Sequence, residues 1–131
     1  MKDTSLLVAR ILLGLLFVMA GIGKLGSVEG FAGYMASGGV PAFLAWPVVL
    51  FEIIGGLMLI VGLQTRIVAL ALGAFCVLSG LLYHFDLADQ MQMTQLLKNL
   101  ALAGGYGALA VVGAGALSAD AKLGFERPAT A

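Results

Sequence analysis

Apolar residues run along this chain in four long blocks, with polar residues confined to the seams and to a few positions near block ends. A helix needs about 20 mostly apolar residues to cross the hydrocarbon core of a bilayer, and each block is about that long. The first spans about Ser5 to Lys24, with Arg10 as its only interior charge. The second, about Phe43 to Leu63, carries Glu52, and the third, about Arg66 to His84, has no charge between its ends. The fourth, about Leu97 to Leu117, carries Lys98 near its start. The pattern predicts an all-α, polytopic membrane protein in which four transmembrane helices form one bundle. Residues 1–131 make a single membrane domain on this reading, with a polar, loose tail over 118–131.

The longest seam, Gly26 to Ala42, is not simply polar, because Phe31, Tyr34 and Met35 recur at helical spacing. A short interfacial helix ending at Gly38 and Gly39, with Val40-Pro41 leading into the second span, fits this pattern. Such a helix serves either as a roof over a cavity or as a connector lying on the membrane surface. Small residues recur within the blocks: Gly14 with Gly21, Gly55 with Gly62 and Gly73 with Gly80 are seven apart. Ala101 with Gly105 and Ala103 with Gly107 are four apart. Helices in lipid associate chiefly through close van der Waals contact, so these stripes predict the helix-facing surfaces.

Composition strengthens the membrane reading. At 61% hydrophobic and 11% charged residues, the chain has too little polar surface for a soluble core of 131 residues. Lys2 before an apolar run resembles a secretory signal, but Arg10 interrupts that run, no small-x-small cleavage site follows, and the block is long enough to span. A retained helix is expected.

Charge then gives orientation. Lys2, Arg10, Arg66, Lys122 and Arg127 fall on the amino-terminal side of the serpentine path, and Lys24 and Lys98 on the other. Cytoplasmic loops carry the positive excess, so both termini and the Gln64-Thr65 turn are expected inside. Arg10 precedes Lys24 by about 21 Å of helix, too far for the two to share a site. Two groups result: an outer one of Lys24, Glu52, His84, Lys98 and Asn99, and an inner one of Arg10, Arg66 and Asp120.

Charged residues inside a membrane segment are expensive and mark pairing, proton movement or ligand contact. Glu52 lies about a third of the way into its helix and cannot snorkel, so it must pair, take a proton or face a polar cavity. Glu52 and His84 are the candidate catalytic residues, as proton-exchanging groups, with a structural salt bridge the rival role for Glu52. Lys24, Lys98 and Asn99 are the candidate ligand-binding residues, and each lysine has helix-end anchoring as its alternative. Arg10 and Arg66 are expected to be structural charges on the cytoplasmic side. No metal site is expected, since one histidine and one cysteine without HxxxH or CxxC spacing do not make a zinc or copper site. Cys76 reads as a small buried hydrophobe. The glycines fall inside apolar helices and form no phosphate loop, and no nucleic-acid partner is expected.

The runs RILLGLLFVMAGIGKL (Arg10 to Leu25), GFAGYMASGGVP (Gly30 to Pro41), FEIIGGLMLIVGLQTRIVAL (Phe51 to Leu70) and KNLALAGG from Lys98 resemble successive blocks of the DoxX family of small bacterial membrane proteins. The resemblance covers nearly the whole chain, and the matching positions are Arg10, Lys24, Glu52, Arg66, His84 and Lys98. It implies the bacterial inner membrane and a likeness to the small membrane subunit of thiosulfate:quinone oxidoreductase. A quinone as ligand, no covalently held cofactor and a soluble redox partner protein follow from that likeness. So does the role of a subunit of a quinone-dependent oxidoreductase rather than an autonomous enzyme. Phe51, Tyr83 and Phe85 are then expected to wall the ring. Two rivals remain: a non-enzymatic scaffold or anchor for soluble oxidoreductases, and a small-anion carrier resting on the two lysines. Four short helices allow alternating access only in a homo-oligomer.

Overall fold

The computed structural model describes residues 1–126, so Arg127 of the charge count lies outside the described residues. These form six α-helices: α1 Lys2–Leu25, α2 Val28–Ser37, α3 Ala45–Val61, α4 Thr65–Tyr83, α5 Gln90–Val112 and α6 Ala119–Leu123. A 3-10 turn, Ala42–Leu44, leads into α3, and no strand occurs among the described residues. Three helical stretches are long and apolar enough to cross a membrane: Lys2–Leu25, Ala42–Val61 and Thr65–Tyr83. Helix α5 has the length, 23 residues. Its first turns, with Gln90, Gln92, Thr94 and Gln95, dilute its apolar character.

The α5 boundaries correct the expected fourth block of 97–117. Asp89 caps the helix, its Oδ1 accepting from the Met91 and Gln92 amides at 2.8 and 3.2 Å, so the helix begins seven residues before the expected start. It stops at Val112 because Gly113 takes a φ of +89°. Helix α3 also ends in a left-handed residue, Gly62 at φ +75°, with Leu63 N donating to Met58 O at 2.8 Å. Gln64, at φ +50°, then sets up α4 at once, giving a tight reversal.

The helices pack as two close pairs, α1 with α3 and α4 with α5, which meet more loosely. Gly14 and Gly56 bring the first pair backbone to backbone, since a Cβ on either would lie 2.6 Å from the other's carbonyl oxygen. About two turns further out, a Cβ on Gly21 would sit 3.2 Å from Val49 O. In the second pair Gly73 faces Tyr106 and Gly80 faces Asn99, their added Cβ atoms meeting those side chains at 3.2 and 3.1 Å. The fourth block uses its glycines differently from expectation: Gly107 faces nothing within 4 Å and Gly105 touches only Leu13. Ala103 and Tyr106 make the close surface of α5 instead. The Tyr106 hydroxyl donates to Leu13 O at 2.8 Å, tying the pairs together beneath a run of ring contacts through Phe17, Phe75 and Phe51.

The expected loose tail is a second correction over 118–126. Ser118 Oγ accepts from Ala121 N at 3.1 Å and starts α6, whose Asp120 is only 2% exposed. Long-range contacts hold this segment, and its local polarity gave no sign of them.

Candidate functional site

The charges separate to the two ends of the bundle. At the end holding both the α3–α4 turn and α6, Arg10, Arg66, Asp120 and Glu126 serve backbone groups at or near helix ends. Arg10 is fully buried; its guanidinium donates to Ile60 O at 3.0 Å and to Leu117 O, and its Nε has no partner among the described residues. Asp120 accepts from Gln64 N at 2.6 Å and from Thr65 N at 2.9 Å, capping α4 from 55 residues away. Arg66 donates to Ala110 O at 2.9 Å and to Val111 O, closing the end of α5, and pairs with Glu126 at 3.1 Å. Glu126 in turn accepts from Ala114 N at 2.8 Å. This end is a set of ties between side chains and backbone.

The opposite end holds a cavity of about 460 Å³ between the two helix pairs, covered by α2. Lys24 Nζ lies 2.8 and 3.0 Å from the two Glu52 carboxylate oxygens, donates also to Ala20 O at 3.2 Å, and stands 5.0 Å from the Phe31 ring centroid. The close helix contact makes this pair: Lys24 follows Gly21 by three residues and Glu52 precedes Gly56 by four, so the backbones that meet through glycine carry both charges into bonding range. Glu52 is only 3% exposed. His84 lines the same cavity, with Nδ1 2.7 Å from Gln92 Oε1. Asn99 lines it too and donates to Ser79 Oγ at 3.4 Å.

Of the five candidate residues, four border this cavity: Lys24, Glu52, His84 and Asn99. Lys98 does not. It is exposed on α5, because one residue along a helix turns the side chain about 100°, and Asn99 takes the inward direction. The expected ring walls are also revised. Tyr83 borders the cavity, but Phe85 is exposed and Phe51 sits below in the core, while Phe17, Phe31 and Phe75 supply the aromatic surface. Cys76, 3% exposed, lies on the cavity wall. Among the described residues no three His, Cys, Asp or Glu side chains group as metal ligands.

The sequence reading missed how the roof is fastened. The Tyr83 hydroxyl donates to Met35 O at 2.9 Å, the Tyr34 and Tyr83 rings stack at 4.8 Å, and a Cβ on Gly38 would run into the Tyr83 ring. The signal was present in the pairing of an aromatic-spaced seam with a glycine at its end and a tyrosine one residue before the end of the third block.

Apolar helices around a buried ion pair and a partly roofed cavity define a small helical membrane protein with an internal cavity. The chain belongs to the DoxX family, whose model matches residues 5–85. It is 40% identical over 123 residues to the Escherichia coli inner membrane protein YqjF, covering 94% of this chain and 95% of that one. It is 30% identical over 128 residues to the E. coli inner membrane protein YphA, covering 92% and 91%. A shorter match, 36% over 66 residues and about half of each chain, is to the Bacillus subtilis protein named "Putative oxidoreductase CatD". No solved structure matches the chain.

Proposed function

We propose that this chain is a quinone-binding membrane subunit of a redox system, and that the roofed cavity receives the quinone ring. The cavity carries this reading. A volume of about 460 Å³, aromatic and aliphatic walls, and a few polar groups among them are what a ring with two polar edges requires. The half-length similarity to a protein named as an oxidoreductase points the same way. We assign the electrons to a soluble partner protein. Four spans with both termini cytoplasmic fit the structure, since Lys2, Arg10, Arg66 and Lys122 gather at one end. Helix α5, about 34 Å long, reaches across a bilayer.

Quinone reduction takes up two protons with its two electrons, and the cavity's own groups are suited to hold and release them. The Gln92 carbonyl oxygen fixes His84 Nδ1 as the donor, so the neutral ring keeps a lone pair on Nε2 for a proton. Lys24 spends its donors on Glu52 and Ala20. When Glu52 takes a proton, one of those N–H groups is released toward a carbonyl oxygen in the cavity. Glu52 thereby couples proton uptake to ligand contact.

The test is quinone retention by purified protein, wild type against Lys24→Met, which removes the proposed donor to the carbonyl oxygen. Retention by the wild type and its loss in a variant that still folds support the site, and equal retention removes it. One observation favours a rival: Lys24–Glu52 joins the two most closely packed helices and so also fits a purely structural tie in a scaffold for soluble oxidoreductases. On that reading Glu52→Gln lowers thermal stability, and the wild type retains no quinone.

A further inference from the structure

The roof and the side walls of the cavity differ in what closes them. Above, α2 is fastened by a hydrogen bond and a ring stack to Tyr83, so ordered backbone covers part of the route from water. Laterally, on the α3–α4 side, only aliphatic side chains intervene. Helices α3 and α4 are joined by the tight turn at the other end and held together halfway up by Gly55 against Leu72 and by the Phe51–Phe75 contact. Beyond that level the cavity lies between them.

The α4 register shows where the seam opens. Gly73 and Gly80 turn toward α5. Phe75, Leu78 and Leu82, spaced i, i+3 and i+7, form a different stripe whose first member touches α3. Leu78 and Leu82 both line the cavity, yet they are 62% and 48% exposed on the outer surface of the bundle. Across the seam stands Val48 of α3, also on the cavity wall. In a bilayer that outer surface faces acyl chains, so mobile leucine side chains alone separate cavity from lipid. Exposed side chains change rotamer in picoseconds to nanoseconds and offer no lasting barrier.

We infer that the cavity is filled sideways from the bilayer, through the seam between the outer halves of α3 and α4. The occupant is an amphipathic molecule with its polar ring at Lys24 and Glu52 and an apolar tail lying between Val48 and Leu78 into lipid. This rests on the quinone reading and narrows it to tailed, lipid-dissolved quinones.

Two probes test it: a benzoquinone with a ten-carbon tail, and the same ring without the tail, each measured for equilibrium binding to the full-length protein in lipid nanodiscs. Leu78→Trp and Leu82→Trp fill the seam where the tail must lie. Both are expected to weaken the tailed quinone by about tenfold while leaving the tailless ring within about twofold of wild type. Leu78→Ala, which widens the seam, is expected to keep affinity for the tailed quinone and speed its binding, and serves if a tryptophan variant fails to fold. Equal weakening of both probes, or no change in either, overturns the lateral route while leaving the ring site standing. A wild type that binds neither probe overturns the ring site and this inference with it.

Discussion

The two ends of the bundle carry similar charged residues and use them in opposite ways. At the end with the α3–α4 turn, Arg10, Arg66, Asp120 and Glu126 mostly bond to backbone groups that helices leave unpaired, each reaching far along the chain to do so. At the other end Lys24 and Glu52 bond chiefly to each other, and the space beside them stays open. Burial alone does not distinguish the two, since Arg10 and Glu52 are both nearly inaccessible. The difference lies in the partner. A charge bound to backbone is committed to the fold, whereas a charge bound to another titratable side chain can be released by one proton.

The largest effect that would break this comparison is expected at Arg10. Arg10→Ala strands the Ile60 and Leu117 carbonyls in a dry site and leaves a void, which together should cost about 3 kcal/mol of stability. Thermal unfolding in detergent measures the loss. Below the lowered transition temperature, quinone retention should match the wild type. A variant of undiminished stability that no longer retains quinone would reverse the roles assigned to the two ends.

The Lys24–Glu52 pair should behave otherwise. Replacing both members, as Lys24→Met with Glu52→Leu, removes two charges together, and such exchanges of buried pairs are often neutral or stabilising. The double variant is expected to unfold within about 1 kcal/mol of wild type, because neither charge is left unpaired. Glu52→Gln alone, which leaves the ammonium without its carboxylate, should be the less stable of the two. Quinone affinity should drop by about tenfold in the double variant, which lacks the Lys24 donor, and hold in Glu52→Gln, whose ammonium is free to meet a carbonyl oxygen. If the double variant retains quinone like the wild type, the pair is a tie like those at the other end.

How much of this was legible in the sequence follows the same division. Hydropathy marked the apolar blocks and helix rise sorted the charges by depth, because both depend on position along an axis. Depth says nothing about direction around a helix, which is why Lys98 and Asn99 were grouped together although only Asn99 borders the cavity. The α5 start escaped because the Asp89 cap sets it in a polar stretch. The folding of 118–126 escaped because Asp120 finds its donors at Gln64 and Thr65, a pairing no local pattern encodes. Gly56 was visible as a glycine, but its role as the point where α1 and α3 touch needed both backbones in place.

A smaller effect tests the roof. Tyr83→Phe keeps the ring stack with Tyr34 and removes only the bond to Met35 O. Stability should fall by about 1 kcal/mol, confined to α2, which amounts to a roughly fivefold rise in local opening. Hydrogen exchange along 28–37 should report it, with α4 and α5 unchanged. Exchange rising equally in all helices would mean that the roof is part of the core and not a separable cover.

The smallest expected effect is at Lys98, and it is the sharpest check on direction. Lys98→Gln removes an exposed charge that has no ion-pair partner among the described residues, so stability should stay within about 0.5 kcal/mol of wild type. Quinone retention should also be unchanged. Asn99→Ala, one residue on, takes an amide from the cavity wall and should weaken retention several-fold. The contrast between these neighbours separates a site enclosed by the bundle from a site spread over its rim. Weaker binding in both variants would put the polar edge of the ligand outside the cavity, where the Lys98 ammonium can reach it and Glu52 cannot.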